Sequence, residues 1–203
     1  MKIYFHFSQD KFFNSYLVAN EKTGEAIFID PLKLEMQSIR LLEKYRYTLT
    51  HILFTHGDKN LQREGALTVA KVYRNVKIIQ YEFSNGKSDI SEANLQLIRG
   101  DGTLDIAGMT VEYFSIAGLT TGAYCYKIDQ VVFCGDTLIA GRMGATSSDY
   151  ASQNLQKSLQ EKIFSRNQQL LLFPIQGPPT SINVEKRYNE DLMSDFKKRR
   201  RIF

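Results

Sequence analysis

A short apolar run, Ile52-Leu53-Phe54, stops at Thr55-His56-Gly57, and the polar residues Asp58-Lys59-Asn60 follow before apolar spacing resumes at Leu61. A run this short, closed by polar and glycine signals, reads as a buried strand rather than a helix. Loops at the carboxyl ends of strands are where α/β folds place their chemistry. Residues 48–61 are therefore the stretch around which the rest of the chain has to be arranged.

Upstream, Lys2–Phe7, Asn14–Ala19 and Glu25–Ile29 are rich in aromatic and β-branched residues and read as strands, with turns at Asn20–Gly24 and Asp30-Pro31. Leu32, Met36, Ile39, Leu42 and Tyr45 recur at helical spacing and predict a helix over 32–45. Leu61, Leu67, Ala70 and Tyr73 predict a second helix, and Val76–Gln80 a strand. The second half repeats this order. Strands are expected at Leu95–Ile98, Met109–Phe114, Ala123–Ile128 and Val131–Cys134, with Gly100-Asp101-Gly102 as a turn and Gly135-Asp136-Thr137 ending the last strand. Leu155, Leu159 and Ile163 at spacing four predict a helix, for which Ser147, Ser148 and Asp149 are all credible N-caps. Leu170–Phe173 is a further strand, Pro174–Pro179 a rigid loop, and Tyr188, Leu192 and Phe196 mark a last helix. Two β-rich halves, each carrying helices, predict an α/β fold: a four-layer αββα sandwich of two mixed β-sheets flanked by helices, as one domain over 1–196.

With 43% hydrophobic and 24% charged residues the chain has enough apolar material for a packed core, which excludes a disordered protein. No apolar run reaches the ~18 residues of a membrane span, and the first residues lack the pattern of a cleaved leader. The expected location is the cytoplasm. Cys125 and Cys134, in apolar surroundings, are expected to be reduced core residues rather than a disulfide or metal site. The net charge of +4 is carried by Lys197, Lys198, Arg199, Arg200 and Arg201; without that block the remainder is at −1. A general nucleic-acid face is thus not indicated; the block reads first as a solvated C-terminal tail, and an anchor for RNA or acidic lipid in the 197–203 tail is the lesser alternative.

The motifs together resemble the metallo-β-lactamase superfamily, in its glyoxalase II-like (hydroxyacylglutathione hydrolase-like) branch. The resemblance spans about residues 14–190. It is carried by Asn14-Ser15-Tyr16-Leu17-Val18, by Ala26-Ile27-Phe28-Ile29-Asp30-Pro31, and by His51-Ile52-Leu53-Phe54-Thr55-His56-Gly57, which is similar to the start of a Thr-His-x-His-x-Asp-His loop. Ala117-Gly118-Leu119-Thr120-Thr121-Gly122, Val132-Phe133-Cys134-Gly135-Asp136-Thr137-Leu138 and Pro174-Ile175-Gln176-Gly177-Pro178 follow in the family's order. Such hydrolases hold two metals about 3.5–4 Å apart through imidazoles and carboxylates.

Carried over position by position, the resemblance places metal ligands at seven residues. His56 and Asp136 keep the family's residue type, whereas Asp58, Asn60, Leu61, Leu119 and Gln176 replace it. Leucine offers no lone pair, and neutral amides are poor zinc ligands. Zinc is therefore not expected and no cofactor is implied, although His56, Asp136 and Asp58 offer a donor set for a single hard cation. His56 reads more simply as a histidine hydrogen-bonded to Asp58 or Asp136, Asp58 and Asn60 as helix caps, and Asp136 as a turn residue. His51 and His6 read as surface or packing residues. The function expected first is a non-hydrolytic pseudo-enzyme that binds a small anionic ligand or a protein partner, with a homodimer admitted by the resemblance. The alternative is a thioester or lactone hydrolase working through His56 and Asp136 at a reduced or non-zinc site.

Overall fold

The structure, a computed structural model, describes residues 1–9, 11–56, 59–81 and 94–193, with side chains at 59–63 and 66 excluded. Two six-stranded sheets lie face to face. The first runs, in spatial order, β1 (Lys2–Ser8), β2 (Phe13–Asn20), β3 (Glu25–Ile29), β4 (Thr48–Leu53), β5 (Lys77–Tyr81) and β6 (Leu95–Ile98). Its β1–β2–β3 hairpins are antiparallel and the later pairings parallel, with helices α1 (Met36–Tyr45) and α2 (Lys59–Val72) making the β3–β4 and β4–β5 crossovers. The second sheet contains β7 (Gly102–Ile106), β8 (Met109–Ser115), β9 (Tyr124–Ile128), β10 (Val131–Gly135), β13 (Leu171–Pro174) and β14 (Thr180–Ser181). A small hairpin of β11 (Leu138–Ile139) and β12 (Arg142–Met143) leaves it, and α3 (Asp149–Leu159), a π-helical turn (Gln160–Phe164) and α4 (Ile182–Tyr188) accompany it.

Three apolar clusters define four layers. Tyr16, Ile27, Ile29, Leu53, Ile79, Tyr126 and Phe133 fill the space between the sheets. Leu17, Phe28, Ile52, Val69 and Ile78 pack with α1 and α2 on the outer face of the first sheet, while Cys125, Cys134, Leu155, Leu159, Ile163 and Ile182 pack on the outer face of the second. Central strands β2, β3 and β10 are buried on both faces, which explains their near-continuous apolar reading. The expected αββα sandwich is the observed one. Both cysteines are buried free thiols, and burial pushes Cys125 up to about 12 and Cys134 well above its ordinary value.

Several boundaries differ from the sequence expectation. The first helix starts at Met36, not Leu32: Glu35 has an extended backbone, and residues 31–35 form a bend after Pro31. His51 lies within β4, whose start is Thr48, and its ring contacts Thr50 Oγ1 at 2.9 Å. Gly102 opens strand β7 instead of closing a turn; this outer strand alternates polar and apolar residues too weakly to stand out. The last helix is displaced, with α4 over Ile182–Tyr188 capped by Ser181 and helix resuming only at 190–193. Of the three N-cap candidates Ser148 is the cap, its Oγ accepting from Ala151 N at 3.2 Å. No helix among the described residues is long and apolar enough to cross a membrane.

Candidate functional site

The site forms where the carboxyl ends of β4, β10 and β13 meet the loop after β8. Its foundation is Asp30, which follows β3 with a positive φ of 51° and is almost fully buried. Its Oδ1 accepts from Thr55 N at 2.8 Å and its Oδ2 from Thr55 Oγ1 at 2.7 Å, while its own N–H reaches Leu53 O at 2.9 Å. The neighbouring ends of β3 and β4 are thereby clasped, and His56 is carried to the cavity rim with 4% of its surface exposed. Burial pushes the Asp30 carboxyl up from its ordinary value; the nearby His56 and the two Thr55 hydrogen bonds oppose this, and Asp136 adds to it.

The second sheet is bolted to the same loop. Tyr124 N donates to Thr55 O at 2.7 Å, and Tyr126 OH donates to Phe54 O at 3.1 Å. Gly135 ends β10 at φ 57°, and a Cβ there would overlap Thr55 Oγ1. Glycine at this point lets the strand end press against the β4 loop and sets Asp136 at the cavity beside His56. The turn closes through Thr137, whose N–H and Oγ1 both donate to Cys134 O. The loop after β13 is held from the opposite sheet: Asn14 Nδ2 donates to Pro174 O (3.0 Å) and Gly177 O (2.7 Å), and Tyr16 OH donates to Pro174 O at 2.6 Å.

These loops enclose a cavity of about 890 Å³, within the range of small-molecule sites. His56, Asp136, Leu119 and Gln176 all line it, so four of the residues singled out in the sequence come together. Asp58 lies outside the described residues, as do the side chains of Asn60 and Leu61 and the whole Lys197–Arg201 block. The remaining walls were not anticipated. Ser152, Gln153 and Gln156 come from α3, and Ile139, Arg142, Met143 and Gly144 from the β11–β12 hairpin and the residue after it. That hairpin is fastened from behind. The completely buried Glu185 accepts from Gly141 N, from Thr180 Oγ1 at 2.7 Å and from Asn189 Nδ2 at 2.7 Å. Asp191 accepts from Met143 N at 2.8 Å, and Arg142 pairs with Glu190 at 3.3 Å. His6 does not enter the cavity; it pairs with Glu35 at 2.7 Å.

No protein-family profile matches the chain. It is similar to an uncharacterized protein of Treponema pallidum (strain Nichols), 31% identical over 182 residues that cover 89% of this chain and 94% of that one. It is also similar to the hydroxyacylglutathione hydrolase of Glaesserella parasuis, 26% identical over 143 residues, 69% of this chain but only 57% of the enzyme's length. Among solved structures, ETHE1 from Myxococcus xanthus superposes with a TM-score of 0.78 at 25% identity, covering 94% of this chain and 84% of that protein. A metallo-β-lactamase from Staphylococcus aureus superposes with a TM-score of 0.82 at 20% identity, covering 95% and 63%.

Proposed function

Since the chain belongs to the metallo-β-lactamase superfamily, in its glyoxalase II-like branch, we propose that it is a binding member of that branch whose cavity takes a small polar molecule without two-metal hydrolysis. The observation that supports this reading is the set of donors around the cavity. The sequence contains three histidines, and two of them, His6 and His51, are engaged elsewhere, with Glu35 and Thr50. His56 is thus the one imidazole at the cavity, and Leu119 and Gln176 stand where the resemblance puts two others. A pair of zinc ions asks for several imidazoles in addition to carboxylates, and this donor set does not fit one.

The lining also bears on the ligand. Among the described residues of the lining, Asp136, Asp149 and Asp191 outnumber Arg142, which is itself paired with Glu190. Amide and hydroxyl groups of Thr120, Ser152, Gln153, Gln156 and Gln176 supply donors and acceptors in quantity. A neutral, hydrogen-bonding molecule suits such walls better than the anion expected from sequence. The experiment is metal analysis of protein purified from zinc- and iron-supplemented cells, combined with a thioester hydrolysis assay. Metal well below one equivalent and turnover at the buffer rate are the expected results; two equivalents of bound metal with hydrolysis would overturn the proposal.

One observation favours a second reading. His56 and Asp136 line the same cavity, which supports acid–base work by the two on a thioester or lactone bound there. On that reading, hydrolysis measured in the same assay falls at least about a hundredfold in His56→Ala and in Asp136→Asn.

A further inference from the structure

The first sheet ends in an open strand. β1 pairs with β2 through seven residues in unbroken antiparallel register, from Lys2 opposite Ala19 to Ser8 opposite Phe13, and among the described residues nothing pairs with its other side. Edge strands of monomeric proteins are ordinarily blunted by bulges, proline, or repeated charge. β1 reads Lys-Ile-Tyr-Phe-His-Phe-Ser: one charge at its end, no proline and no bulge.

Apolar surface collects at the same edge, on both of its faces. On the face that continues the inter-sheet core beyond Ile3, Phe5 is 49% exposed and Phe7 43%, and Phe12, 70% exposed, rests its ring 6.2 Å from that of Phe7. On the opposite face Tyr4 packs at 5.6 Å against the half-exposed Tyr45, while Met36, 62% exposed, follows the Glu35 that pairs with His6. A ligand that covered only one face, or offered no backbone, would satisfy half of this edge. An extended segment with apolar side chains on both faces satisfies all of it.

We infer that the occupant is a second copy of this chain, with β1 pairing antiparallel to β1 of the partner about a twofold axis at Phe5, so that the two first sheets join. The strand is self-complementary in that register. Phe5 meets its own copy, Ile3 meets Phe7, Tyr4 meets His6, and Lys2 meets Ser8, so no like charges are brought opposite one another. In the joined sheet the Phe5 and Phe7 faces of the two copies lie on the same side and adjoin across the joint. Phe5, Phe7 and Phe12 alone expose on the order of 300 Å² of ring surface. With Met1, Met36, Tyr45 and the strand's own backbone added, the exposed surface collected at this edge is of the order of the ~800 Å² per partner over which specific interfaces extend. Lys2 is meanwhile kept over the Tyr4 and Tyr45 rings, at 5.4 and 4.9 Å from their centroids, beside rather than across the joint.

The test uses the full chain in analytical ultracentrifugation from about 1 to 100 µM. A monomer–dimer equilibrium is expected, with the dimer lost in the double variant Phe12→Lys/Met36→Lys. Both residues are largely exposed, so the fold and its melting temperature are expected to persist. The register is tested separately with Phe5→Cys. Cross-strand partners at this spacing are within disulfide reach, and the native cysteines are buried, so mild oxidation is expected to link two copies through position 5. A chain that remains monomeric at 100 µM overturns the proposal. So does a dimer that survives Phe12→Lys/Met36→Lys, or one in which the introduced thiol stays free. Capture of a different protein by a monomeric chain would likewise overturn it. None of these outcomes depends on the state of the cavity.

Discussion

At the scale of single residues, Asp30 does more for the site than either of the two family-type residues on the cavity wall. Thr55 N–H and Oγ1 both end on its carboxylate in a place without solvent, so removing the acceptor leaves two buried donors unsatisfied. Asp30→Ala is expected to cost about 2–4 kcal/mol in urea unfolding. Asp30→Asn, which keeps an acceptor and tolerates the positive φ, is expected to cost roughly half as much. The pH dependence has a definite sign. Burial raises the Asp30 pKa, so the folded state holds its proton more tightly and ionisation subtracts stability as pH climbs from the ordinary carboxylate range through the raised value. Asp30→Asn is expected to flatten that part of the curve. In the sequence Asp30-Pro31 is legible only as a strand exit, because its role depends on Thr55, twenty-five residues away. Asn14 is similar: nothing beside it in sequence reveals that its amide holds the loop bearing Gln176.

At the scale of elements, the β11–β12 hairpin and α4 act as one unit. Glu185 joins them, and Glu185→Ala strands the Gly141 and Thr180 donors together with the Asn189 amide. The expected loss is about 2–4 kcal/mol, with amide exchange rising at 138–144 before it rises in β9 and β10; Glu185→Gln is expected to recover part of it. The π-helical turn is attached differently, by charge. Two hydrogen bonds from Arg166 hold the Glu112 carboxyl below its ordinary range. A depressed pKa contributes stability above the ordinary glutamate value and loses it as pH falls through the lowered one. Wild type and Glu112→Gln are therefore expected to differ in melting temperature at pH 7 and to converge toward pH 3. Elements with strong apolar periodicity were legible from sequence, including both crossover helices and the central strands. β7 and α4 were not, because an outer strand is half polar and because α4 turns the carboxylate of Glu185 into the interior, where periodicity expects an apolar group.

At the scale of the molecule, the two-sheet, four-layer arrangement follows from patterning, and the motif series anticipated the superfamily, whereas the strand order within each sheet emerges only from the structure. Cavity composition did not follow. The α3 wall of Ser152, Gln153 and Gln156 faces the β4 loop only because Leu155, Leu159 and Ile163 anchor the other side of that helical stretch on the second sheet. A polar helix face looks the same in sequence whether it meets bulk water or a cavity.

The clasp of Asn14 on Pro174 spans 160 positions of chain, and the cavity roof hangs from it. A half-assembled molecule, with one sheet formed and the other not yet docked, has no such roof and therefore no affinity for whatever the cavity accepts. Anything that fits must then favour the complete fold over every partial one, and at a hundred times its dissociation constant it raises stability by about 2.7 kcal/mol. Screening a metabolite library for upward shifts in melting temperature thus asks the protein itself to name its occupant.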